Sequence, residues 1–176
     1  MNIDFSKKLS ILVSKKGNDS LETLIKKTSE LSKNTNLSEL SASIYLANEL
    51  KKIGDYVNAK KLYEKLLQQT TNDADKSTLF NNYGALLQDL GDNQKAIELY
   101  EHSLHISRNA LGPEHPSVAT TMNNLAAVYE TLGHYQKALE LYEHSLHISR
   151  NALGPEHPSV ATTMNNLAAV YEALGH

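Results

Sequence analysis

Few side-chain types in this 176-residue chain are equipped for chemistry. There are eight histidines and no cysteine, which excludes disulfide staples, thiolate nucleophiles and zinc ribbons. His102 with His105, and His144 with His147, stand three residues apart, so each pair can share one face of a helix. Two imidazoles are too few for zinc: a structural site wants four N or S ligands, a catalytic one about three and a water. These histidines therefore read as solvated or capping groups, and neither a metal nor any other cofactor is expected. His102 adjoins Ser103, but neighbours in a helix point to different sides, and no third group orients the imidazole. No phosphate-cradling glycine loop, G-x-S-x-G or H-E-x-x-H occurs, so no catalytic residue is assigned and an enzyme is not expected.

Carboxamides do recur in pairs, at Asn81-Asn82, Asn123-Asn124 and Asn165-Asn166. Each Asn offers both a donor and an acceptor, so a row of them can satisfy the N–H and C=O groups of a peptide that has no strand partner. The competing role is structural. A half-buried amide must find partners, and one Asn of a pair can bond a neighbouring helix to fix stacking.

The pairs belong to a duplication. Glu98–Glu130 recurs letter for letter as Glu140–Glu172, an offset of 42 residues. A period of this length marks an array whose units bury their apolar faces only by stacking on one another. Within one unit, Val118, Met122, Leu125, Ala126, Val128 and Tyr129 follow a helical spacing over Ser117–Leu132, which Gly133 ends. Ala138, Leu139, Leu141, Tyr142, Leu146 and Ile148 make a second helix, closed by Gly154 and Pro155. Each unit is thus helix A, turn, helix B. Turn glycines at 54, 91, 133 and 175 extend the pattern, spaced 37, 42 and 42 residues apart. The longer spacing comes from Leu-Gly-Pro-Glu-His-Pro, which replaces the Thr70–Lys76 link and holds all four prolines of the chain. Small Ala126 and Ala138 beside bulky Leu125, Tyr129 and Tyr142 predict close packing of A on B, and Gly84 with Ala96 repeat the device.

With Asn123–Tyr129, Leu132-Gly133-His134-Tyr135, Ala138, Tyr142 and Leu153–Thr162 in these positions, the chain resembles the tetratricopeptide repeat family, in its kinesin-light-chain-like form with long units. The resemblance runs from about Leu40 to the end and is looser in the first unit, where no Asn pair accompanies Ala47, Leu50, Gly54, Tyr56, Ala59 and Tyr63. Ser103 and Ser145 depart from it, standing where the family usually has Ala. The fold implied is all-α, a right-handed α-solenoid. Its expected units are a helical cap (1–37), three repeats (38–74, 75–115 and 116–157) and a half-repeat of helix A alone (158–176). In the cap, Ile3, Phe5, Leu9, Leu12 and Val13 predict one amphipathic helix, and Asp19 with Glu22 a capping box opening a second at Ser20–Ser32.

In this family the helix-A faces line a concave groove for an extended peptide or a partner helix. Its contact positions carry over onto Thr78, Asn81, Asn82, Ala85, Gln88 and Asp89. In the next unit they fall on Thr120, Asn123, Asn124, Ala127, Glu130 and Thr131, and in the last on Thr162, Asn165, Asn166, Ala169 and Glu172. Chaperone-binding members clamp a carboxylate there with Lys and Arg. The matching positions here are not basic except Lys51 and Lys52 in the first unit, so no clamp is expected on the later two. Asp89, Glu130 and Glu172 favour a neutral or basic ligand, although exposed charges contribute only about 0–1 kcal/mol each and mainly steer association. The preference of kinesin light chains for acidic cargo peptides is accordingly not expected here.

Charge separates the two ends of the chain: residues 1–66 carry twelve lysines against eight acids, residues 67–176 five basic residues against twelve acids. The repeats are the acidic part, which argues against nucleic acid, whose binding needs clustered Lys and Arg. Lysines interrupt the apolar run Leu9–Val13, so no signal peptide, no membrane contact and a cytoplasmic location are expected. Finally, a last helix A without its helix B should leave Met164, Leu167, Ala168 and Tyr171 partly bare. Burying each large one is worth about 1.5–3 kcal/mol, which predicts self-association at this end. Protein binding in the groove is the function expected. A self-assembling scaffold, or a regulatory array of a longer protein, is the alternative.

Overall fold

The turns are where the sequence dictates most directly. At Gly54, Gly91 and Gly133 the backbone takes φ of +78°, +77° and +76°, a left-handed conformation that costs glycine no Cβ clash. Each of these glycines closes a helix by a paired motif. In the last, Gly133 N–H donates to Glu130 O (2.9 Å) and His134 N–H to Tyr129 O (2.8 Å). The residue after the glycine then opens the next helix. Asp55 and Asp92 accept from the backbone N–H of Asn58 and Lys95 with their carboxylates.

The computed structural model describes residues 3–33 and 35–175, and nine α-helices are found among them. In order they are α1 (Ile3–Ser14), α2 (Leu21–Ser32), α3 (Glu39–Lys52), α4 (Tyr56–Gln69), α5 (Asp73–Asp89), α6 (Asn93–Leu111), α7 (Pro116–Thr131), α8 (Tyr135–Leu153) and α9 (Pro158–Leu174). No strand accompanies them among the described residues, and the architecture is an all-α helical repeat. His176 and the side chain of Ile3, both named in the sequence expectations, lie outside the described residues. The longer connections before α7 and α9 place a proline at the first helical turn, where no N–H is needed. His115 and His157 are their caps: each Nδ1 accepts from the backbone N–H of Ser117 or Ser159, at 3.1 and 3.2 Å.

The chain divides into two compact units, Met1–Thr70 and Thr71–His176. In the first, α1 packs on α2 and α3, α2 on α3, and α3 on α4. Phe5, Leu9 and Val13 of α1 are buried together with Leu46, Leu50 and Leu62. The capping box expected at Asp19 and Glu22 is corrected: Ser20 is the cap, its Oγ accepting from Thr23 N–H at 3.2 Å. Asp19 instead reaches forward one further turn and pairs with Lys27 at 2.6 Å.

In the second unit α5 pairs with α6 and α7 with α8, while α6 packs on α7, α8 on α9, and α7 on both α5 and α9. Ala126, Ala138 and Tyr142 are fully buried in one cluster, as the large-with-small pattern requires. The α5–α6 pair is tighter: a Cβ added to Gly84 would come within 2.9 Å of the Tyr100 ring. Ser103 and Ser145, the departures from the family pattern, are buried and bonded. Ser103 Oγ donates to Ser77 O and Ser145 Oγ to Ala119 O, both at 2.8 Å, so each serine ties helix B to the helix A of its own unit.

Candidate functional site

The packing of α7 on both α5 and α9 sets three helix-A faces side by side. From each carboxamide pair the structure selects one side chain for bonding forward and one for bonding back. Asn124 Nδ2 donates to Asn81 Oδ1 at 3.1 Å, and Asn166 Nδ2 to Asn123 Oδ1 at 3.5 Å. Thr163 Oγ1 also donates to Asn123 Oδ1, at 3.0 Å. The second Asn of each unit thus holds the first Asn of the unit before it. These bonds occupy the Oδ1 of Asn81 and Asn123 and an Nδ2 hydrogen of Asn124 and Asn166. Asn82 is half-buried and Asn165 exposed.

At the start of the helix-A faces lie two hollows that are one site in two copies. The first, about 210 Å³, is lined by Ser77, Thr78, Asn81, Ser103, Thr120 and Thr121, among others. Advancing each number by 42 gives Ala119, Thr120, Asn123, Ser145, Thr162 and Thr163, all of which line the second, about 110 Å³. Thr120 belongs to both. Exposed Thr78, Thr120 and Thr162 bond their own helix, each Oγ1 donating to the carbonyl four residues back at 3.1 Å, and still present oxygen lone pairs outward. The walls are hydroxyls and carboxamides with no lysine or arginine, so they suit a polar, uncharged group such as an extended main chain.

Gln88 and Glu130, expected in the groove, take a further role. Tyr100 donates its hydroxyl to Gln88 Oε1 at 3.0 Å, and Tyr142 to Glu130 Oε2 at 2.8 Å. Burial pushes both phenols well above their ordinary range, and the Asp89 and Glu130 charges add to it for Tyr100 and Tyr142 respectively. These hydrogen bonds clasp helix B to the C-terminal half of helix A. Asp89 and Glu172 are exposed at the same end. In the other unit Lys52 is drawn to Glu49 at 2.6 Å.

On α9 one of the expected bare residues is corrected. Leu167 is only 7% exposed and lies in the cluster of Tyr142 and Ala126. A helix has more than one face, and Val160, Thr163, Leu167 and Val170, spaced three and four apart, form the one turned onto α7 and α8. Met164, Ala168 and Tyr171 form a second stripe, and all three are exposed. Polar neighbours touch its edges: Tyr171 donates to Glu143 Oε1 at 3.0 Å, and Arg150 Nη2 lies 3.5 Å from Met164 Sδ.

The histidines do separate jobs. His102 stacks on Phe80 with centroids 5.5 Å apart, and His105 and His147 lie 3.2 and 3.0 Å from Asn109 and Asn151. Attention to the carboxamides alone misses Ser77, Thr121, Ser117 and Ser159 around the hollows. The recurring Ser-Val-Ala-Thr-Thr segment was the available signal, since hydroxyl-bearing residues inside a helix must either bond its carbonyls or line a polar space.

Comparison with known proteins gives concordant results. The tetratricopeptide repeat family model matches residues 75–150 and again 135–176. Nephrocystin-3 of Xenopus laevis is 39% identical over 65 residues, which make up 37% of this chain and 5% of that protein; the Xenopus tropicalis protein gives the same figures. The chain thus spans about one twentieth of the length of these relatives. Among solved structures, BtubC (BKLC) from P. vanneervenii aligns with a TM-score of 0.75 at 22% identity, covering 96% of this chain and 66% of that one. A kinesin light chain-like protein of nearly identical TPR-like repeats from Podosopora anserina aligns at 0.65 and 24% identity, over 99% and 90% of the two chains. These likenesses are of fold.

Proposed function

The chain belongs to the tetratricopeptide repeat family, whose repeats are protein–protein interaction modules, and on that premise we propose that it is a non-catalytic adaptor. Its ligand is an extended peptide or partner helix laid along the helix-A faces of α5, α7 and α9. The observation that carries this reading is the repetition of one hydroxyl- and carboxamide-lined hollow at an offset of 42 residues. A ligand running across the faces meets the same polar group set once per repeat, which suits main chain, the one part of a peptide that also repeats. With Asp89 and Glu172 exposed at the helix ends, a neutral or basic peptide is preferred. Asn82, Asn165 and the threonines are the contact residues of this reading, whereas Asn81 and Asn123 contribute partly by holding the stack.

Peptide display on the parent and on Thr120→Tyr tests it. Thr120 is exposed and borders both hollows, so the tyrosine fills them without entering the core. Peptides enriched on the parent and lost on the variant, at unchanged helicity, are the expected result. Enrichment of the same peptides on both, or of acidic ones, rejects the reading.

A second reading is favoured by the exposed stripe of Met164, Ala168 and Tyr171: α9 makes the functional contact and the chain works as an assembly scaffold. A sedimentation profile that stays monomeric at high concentration, and is unchanged by Ala168→Glu, counts against self-association there.

A further inference from the structure

We propose that the exposed stripe of α9 is a docking site for a helix of the α8 kind supplied by another polypeptide. This rests on the scaffold reading and names its partner. From Pro116 to Glu130, α7 is the same sequence as α9 from Pro158 to Glu172, so the face that is open on α9 can be read in its covered form on α7. There the cover is α8.

Three contacts define that cover. The Tyr142 ring is buried in one cluster with Ala126 and Ala138, and at the position equivalent to Ala126 a Cβ on Gly84 would come within 2.9 Å of the Tyr100 ring. The small residue is therefore the seat of a tyrosine from helix B. On α9 the same seat is Ala168, and it is exposed. The hydroxyl of that tyrosine goes to Glu130 at 2.8 Å, and the counterpart Glu172 is exposed as well. The Lys137 ammonium lies 5.1 Å from the centre of the Tyr129 ring, whose counterpart Tyr171 is 38% exposed.

α9 accordingly offers a seat for an aromatic ring, an acceptor for its hydroxyl, and an aromatic face for a cation. The occupant that meets all three is an amphipathic helix bearing Lys, then Ala, then Tyr four residues after the Ala, as in Lys137, Ala138 and Tyr142. A second copy of α9 does not meet them, because α9 contains no lysine or arginine to set against Tyr171 and Glu172.

The test uses a labelled peptide of residues 134–154 titrated onto the whole chain, with anisotropy and circular dichroism as readouts. Saturable one-to-one binding with gain of helix is expected. It should weaken by at least about tenfold with Ala168→Glu in the protein and with Tyr142→Ala in the peptide. Because Ala168 is exposed, that variant keeps its fold, which its own spectrum verifies. No binding up to about 1 mM peptide, or equal binding to Ala168→Glu, overturns the proposal. Sedimentation without peptide separates the two failures. A dimer lost in Ala168→Glu, with no peptide binding, assigns the stripe to a second α9 and leaves the contact surface standing; neither dimer nor peptide binding removes both.

Discussion

α7 and α9 are the same sequence for fifteen residues and live in different surroundings. Met122 on α7 is 2% exposed and Met164 on α9 is 46% exposed, while Val118 and Val160 are equally buried on both. One stripe is therefore settled by the preceding unit alone and is the same in each copy. The other is settled by the helix that comes next in the chain, and α8 makes the whole difference. In a stacked repeat, burial belongs to a pair of neighbours and not to a residue type, as expected when each unit contacts only the units beside it.

The sharpest way to break this comparison is to place one substitution in both copies. Ala126→Glu puts a carboxylate under the Tyr142 ring with no cation beside it and should cost about 4 kcal/mol or more. Ala168→Glu should change stability by no more than about 0.5 kcal/mol. Urea denaturation of the two variants reads both, and similar losses would mean that α9 is covered in solution.

A smaller effect is expected at methionine. Met122→Ala should cost about 2–5 kcal/mol by leaving a cavity, and Met164→Ala less than about 1 kcal/mol. Thermal or urea unfolding of the pair checks the ratio.

The smallest expected effect is on alkaline stability. Burial, reinforced by Glu130, raises the pKa of Tyr142 above its ordinary value. The folded state therefore favours the neutral phenol. That contribution is fully present below about pH 10 and is lost as pH rises from there through the folded-state pKa. Tyr142→Phe should flatten the fall in stability above about pH 10. Tyr171, whose pKa is raised first by its hydrogen bond to Glu143, is exposed and reports the difference. An equal flattening from Tyr171→Phe would reject burial as the main cause at Tyr142.

Much of this was legible in the chain itself. The letter-for-letter repeat, the glycines at 54, 91 and 133 and the prolines before α7 and α9 specify helix ends through local backbone chemistry, which needs no partner. The small-with-large pattern of Ala126, Ala138 and Tyr142 specifies which faces meet. Less was legible at the candidate site. Asn81 and Asn124 look alike as residues, yet one accepts and the other donates across two helices. Gln88 and Glu130 hold tyrosines that stand twelve residues away in sequence. Leu167 and Met164, three residues apart and both apolar, end on opposite terms with solvent. Local sequence determined the elements, their caps and their period, because those depend on interactions within a few residues. Only the tertiary structure decided which carboxamide is spent on stacking, which hydroxyls border the hollows and which stripe of α9 stays open, because those depend on where a helix from another unit comes to rest.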